Sequence, residues 1–156
     1  KMASTVTAST MTVTISESIT LNGKNQGSTQ TLSIPSIATV SRRIIDVPAS
    51  EVEVLAMSTA VAAGTFITGD VLYIRITNLD DTNHITLTFK SAGNHEFAVK
   101  VDKGQSFIYN GDLAAGVAST MDADATALSL ALDDLANVTA IADTAACDVE
   151  VFVACK

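Results

Sequence analysis

The chain has 156 residues, a formal net charge of −8 and a sequence pI near 4.4. That length predicts one domain with a sizeable core. Nine Lys and Arg against seventeen Asp and Glu argue against a phosphate-backbone binder, which needs clustered cations. Aromatics are 4% of the residues and Trp is absent, which argues against a stacking platform for sugars or single-stranded nucleic acid. No apolar run approaches the roughly 18 residues of a membrane-spanning helix. The first residues have no apolar h-region, so no secretory leader is expected.

In chain order, residues 1–10 are small and polar and are expected to form an N-terminal arm, flexible or held by a partner. Residues 11–156 are expected to form one β-sandwich domain. Residues 10–21 alternate as one long strand, with Met11, Val13, Ile15, Ile19 and Leu21 on a face that Glu17 interrupts. Residues 22–28 are dense in turn formers. A short strand over 29–34 is expected to end at Pro35. Residues 37–47 and 51–57 are two more strands, turned at Asp46-Val-Pro48. The Ala/Gly-rich stretch 58–69 reads as an irregular crossover.

Residues 70–110 carry the plainest pattern. A strand over 70–78 meets a turn at Leu79-Asp80-Asp81-Thr82-Asn83. Ile85, Leu87 and Phe89 then alternate with His84, Thr86, Thr88 and Lys90. Phe97, Val99 and Val101 alternate with Glu96, Ala98, Lys100 and Asp102. Lys103-Gly104 turns the chain into a strand over 105–109. A period of two with one apolar face means half-buried antiparallel strands. Four of them joined by short turns predict a meander in one sheet.

Residues 122–136 are ambiguous. Leu128, Leu132 and Leu135 have helical spacing, whereas Leu128, Leu130 and Leu132 alternate. The alternation favours a strand through Leu132 and a turn at Asp133-Asp134. After a short strand over 138–142, Cys147, Val149, Val151, Val153 and Cys155 share one face of a last strand. The two thiols would then sit about 26 Å apart, too far for a disulfide with each other. Nine or ten short strands at this spacing predict an all-β, antiparallel β-sandwich that is jelly-roll-like.

No constellation carries chemistry. His84 and His95, the only histidines, flank one hairpin and are close enough in sequence to approach across it, but no third metal ligand stands at useful spacing. Asp80-Asp81-Thr82-Asn83 and Asp122-Ala123-Asp124 lack the calcium-loop pattern and read as turn and cap carboxylates. Asn137-Val138-Thr139 is a chance glycosylation sequon on this reading. Arg42-Arg43 is the only basic pair and reads as a solvated strand edge. No serine has the setting of a nucleophile elbow, and no Gly-rich loop cradles phosphate. The expectation is therefore no catalytic, cofactor-binding or metal-binding residues, and no enzyme.

Val71-Leu-Tyr-Ile-Arg-Ile-Thr-Asn-Leu-Asp80, His84-Ile-Thr-Leu-Thr-Phe89, Phe97-Ala-Val-Lys-Val101, Gly104-Gln-Ser-Phe-Ile108 and the closing Asp148-Val-Glu-Val-Phe-Val-Ala154 resemble small β-sandwich virion proteins of tailed bacteriophages. The resemblance covers about half the chain and rests on strand rhythm and turn words. It implies capsid decoration or a neck or tail position, assembly in a host cytoplasm, and a homo-oligomer such as a trimer. The implied partners are further copies and other virion proteins such as the major capsid protein, with no nucleic acid and no membrane. The other class weighed is an extracellular adhesive or fibre-forming bacterial protein.

Overall fold

A computed structural model describes residues 5–110 and 132–156. Strand dominates those residues, and the antiparallel sheets of an all-β sandwich are present. The chain divides into two compact units, Lys1–Thr39 with Lys156, and Val40–Cys155. The first unit therefore runs well past the ten-residue arm expected from polarity.

That first unit is a β-hairpin. Strand β1 (Ser9–Ser16) pairs antiparallel with β4 (Thr29–Ile37), and β2 (Thr20–Leu21) with β3 (Lys24–Asn25). Asn22 and Gly23 both have positive φ, as a two-residue type I′ turn needs. The single strand expected over 10–21 breaks at Glu17. There Glu17 N–H donates to Ser28 O at 2.8 Å, and Ser28 Oγ donates to Glu17 Oε2 at 2.7 Å. Gly27 permits that approach, since a Cβ on it would stand 2.0 Å from Glu17 O. Pro35 does not end its strand. Pro35 and Ser36 oppose Thr10 alone in a bulge, with Ser36 at φ 65°, and pairing resumes at Ser9↔Ile37. Proline costs no ladder bond at such a position.

Strand β5 (Thr39–Val47) opens the second unit from Val40 on, and β6 (Val52–Ser58), β7 (Thr65–Ile67), a 3₁₀ turn (Thr68–Asp70), β8 (Val71–Asn78), β9 (Ile85–Ser91), β10 (Glu96–Val101), β11 (Ser106–Asn110), β12 (Leu135–Ala142) and β13 (Cys147–Cys155) follow. One sheet has the order β10-β9-β12-β6-β7, the other β11-β8-β13-β5. The stretch expected to be irregular, 58–69, thus supplies β7, which lies parallel to β6.

The central strands do not form a meander. β9 and β10 pair in the five-stranded sheet, whereas β8 and β11 pair in the four-stranded one. The turn at 79–84 carries the chain from one sheet to the other, and the turn at Lys103-Gly104 carries it back. Alternation shows which way side chains face, not which strand is the neighbour, so both arrangements fit the same pattern.

The facing is as the alternation requires. Ile85, Leu87 and Phe89 of β9 are buried, as is Val101 of β10, and Phe97 and Val99 pack partly buried against the same core. The opposite sheet contributes Ile74 and Ile76 of β8 and Val149, Val151 and Val153 of β13. Phe89 anchors an aromatic cluster across both sheets: its ring centroid lies 4.9 Å from that of Phe97 and 4.9 Å from that of Phe107 on β11. Cys147 and Cys155 are free thiols buried along β13. Burial pushes both upward, Cys155 to about 11, so both stay protonated and unreactive near neutral pH. The competition between helix and strand over 122–136 falls largely outside the described residues; within them, Leu135 already belongs to β12.

Candidate functional site

Three polar clusters stand out among the described residues of the second unit. The first closes the β9–β10 turn. His95 Nδ1 lies 2.5 Å from Asp133 Oδ2, and Ser91 Oγ donates to that same oxygen at 3.3 Å. Ser91 Oγ also accepts from His95 N–H at 3.0 Å. These are the residue types of a hydrolase triad in the wrong order. A triad places the imidazole between hydroxyl and carboxylate, so that the ring removes the hydroxyl proton. Here the carboxylate stands between them, and Ser91 has no ring nitrogen to activate it. The cluster braces a turn instead. Ala92 N–H donates to Asp134 O at 2.9 Å, and a Cβ on Gly93 would stand 2.2 Å from Asp133 Oδ2, so glycine opens the space that the carboxylate fills.

The two histidines do not approach each other. The register Glu96↔Lys90 and Val101↔Ile85 puts His95 at one end of the hairpin and His84 at the other. His84 instead lies 3.6 Å from Asp143. Asp80 is a turn carboxylate, as its neighbours suggest: Oδ1 accepts from Thr82 N–H at 2.7 Å and Asn83 N–H at 2.5 Å. Those two bonds, Asn83 first, hold its carboxyl below the usual range. Buried Asn78 completes the turn, donating through Nδ2 to Asn83 O and Val101 O.

The second cluster lies on the outward side of the five-stranded sheet. Glu51 Oε1 accepts from Lys90 Nζ at 2.6 Å and from Thr139 Oγ1 at 2.7 Å, while Asn137 Nδ2 donates to Glu53 Oε2 at 2.9 Å. The sequon residues Asn137 and Thr139 therefore lie within strand β12 and pair with neighbouring strands. An open recess beside them is lined by Glu51, Lys90, Glu96 and Thr139. Its lysine is already matched by Glu51, which also holds the Thr139 hydroxyl.

The third cluster crosses the four-stranded sheet. Glu150 on β13 bonds Arg42 on β5 through Oε2 and Arg75 on β8 through Oε1. Arg75 Nη1 donates to Thr77 Oγ1, which is 2.7 Å from Ser106 Oγ on β11. One chain of polar contacts thus spans all four strands. Arg75 also lies 5.8 Å over the ring of Phe152. Sequence reading placed Arg42 at a solvated edge and gave Glu150 no partner. Arg42 is indeed 68% exposed, yet Glu150 is 6% exposed and buried by its neighbours. No local signal reveals a pairing over 108 residues of sequence.

Arg75, then Arg42, hold the Glu150 carboxyl below its ordinary value of 4.5. Lys90, then Thr139, do the same to Glu51. A depressed folded value means stability is present above the ordinary value and is lost as pH falls through the folded one. The melting temperature is therefore expected to hold from about pH 7 to pH 5 and to fall below about pH 4.5. Thermal scans across that range check it, and Glu150→Gln should flatten part of the drop. A melting temperature that rises on acidification would contradict the pairing.

Among the described residues, no three His, Cys, Asp and Glu side chains gather to hold a metal ion, and no helix is long and apolar enough to cross a membrane. No protein-family model and no curated protein matches the chain.

Proposed function

We propose that this chain is a non-enzymatic structural protein of a tailed-phage virion, a capsid decoration, cement, minor capsid or neck component that acts by self-association. One observation carries the reading. The strands pair in nested fashion, β5 with β13, β6 with β12, β8 with β11 and β9 with β10, and successive pairs alternate between the two sheets. That order supports a jelly-roll reading, an architecture used by viral capsid proteins. The step from architecture to role is one of analogy. The polar clusters agree with it, since each spends its charges and hydroxyls on bracing strands and turns. The strand words 71–80, 84–89, 97–101, 104–108 and 148–154 add the resemblance to tailed-phage virion proteins. The partners on this reading are further copies and the major capsid protein, met in the host cytoplasm.

Quantitative mass spectrometry of gradient-purified virions from the source of the chain tests this. The expected result is this chain at a fixed, multicopy ratio to the major capsid protein. Its absence from virions, with recovery in extracellular filaments, would replace the reading by the adhesive or fibre-forming class.

A further inference from the structure

We infer that the N-terminal hairpin is the assembly element, and that its apolar face seats on the Val40–Cys155 unit of a second copy, head to tail. This deepens the proposed function and rests on its self-association.

The hairpin is amphipathic by register. Met11 pairs with Ile34 and Val13 with Leu32, and Ile15 continues that side. Thr12 with Ser33, Thr14 with Thr31 and Ser16 with Thr29 fill the other with hydroxyls. Part of the apolar side stays open: Ile34 is buried and Met11 and Val13 partly so, whereas Leu32 is 38% exposed and Ile15 45%, and towards the tip Ile19 reaches 49% and Leu21 55%. A two-stranded hairpin is marginal in water by itself, so an open apolar face calls for a cover. The β1 edge carries strand-forming residues with neither the lysine nor the proline that usually guards an edge.

Charge selects the cover. Residues 1–39 hold two lysines and one carboxylate, Glu17, for a net +1; residues 40–156 hold the other sixteen carboxylates and seven cations, for −9. Second units of two copies repel each other, whereas a hairpin and a second unit attract. In a head-to-tail contact each copy gives one hairpin and receives another, and the contact is heterologous, so copies close into a ring or extend as a chain.

The test uses the full chain. Sedimentation velocity at micromolar concentration should show an oligomer. Val13→Asp with Leu32→Asp, on the apolar face, should weaken association at least tenfold. Thr12→Asp with Ser33→Asp adds the same charge on the hydroxyl face and should leave it within twofold. Should the first variant also disturb the hairpin, zero-length carbodiimide coupling of mixed ¹⁴N and ¹⁵N wild-type copies decides independently. Lys24 of one copy should link to carboxylates within residues 40–156 of the other. Intermolecular links from Lys24 to Glu17 alone, equal effects of the two variant pairs, or a monomeric wild type would overturn the inference. A chain present in virions without Lys24 links would sink the hairpin contact and leave the structural role standing; an oligomer linked through Lys24 but absent from virions would do the reverse.

Discussion

Phe89→Ala is expected to lower the unfolding free energy by about 3–5 kcal/mol, the largest effect of any single truncation considered. Phe89 is fully buried and heads the large side chains of the core. Its ring stacks on Phe97 within its own sheet and meets Phe107 and Tyr109 from the opposite one. Truncation removes the apolar burial and opens a cavity between two sheets whose backbones are held by their own ladders, so the site collapses poorly. Urea denaturation with a shared slope for both proteins measures the difference. A loss below about 1 kcal/mol would mean that β9 does not present Phe89 to the interior.

Glu150→Ala is expected to cost about 1.5–3 kcal/mol, the range for losing hydrogen bonds to a charged partner. The loss falls mainly on Arg75, whose side chain is 29% exposed and keeps Thr77 and the Phe152 ring as partners. Arg42 loses less, because most of its guanidinium already meets water. Glu150→Gln keeps the shape and one acceptor, so it should fall between wild type and alanine. The order wild type, Gln, Ala in chemical denaturation checks the bridge. Equal stability of all three would show that the carboxylate contributes nothing across the sheet.

These two sites mark where the sequence is readable and where it stops. Phe89 is legible because Ile85, Leu87 and Phe89 alternate strictly with polar residues, and only one side of a half-buried strand can be apolar. Its neighbour Phe97 follows from the hairpin turn. Phe107 does not, because it arrives from a strand paired with β8 in the other sheet. Glu150 shows the opposite limit. Its parity on β13 places it outward with Asp148, which reads as solvated, yet two arginines from β5 and β8 bury it. Pro35 misleads by a general rule, since a bulge at the hairpin edge needs no N–H there. The Ser91–His95–Asp133 brace is invisible for the same reason as the Glu150 bridge: Asp133 reaches the turn from just before β12, 38 residues from His95. Local pattern specifies facing; partners are set by topology.

The proposed virion role is tested most directly by cryo-electron microscopy of virions from the source of this chain. The account predicts a two-sheet density at repeated, symmetry-related positions, each fitted by residues 40–110 and 132–155, with a ribbon from every copy reaching a neighbouring copy. Virions whose capsid, neck and tail densities are all accounted for by other chains would contradict it.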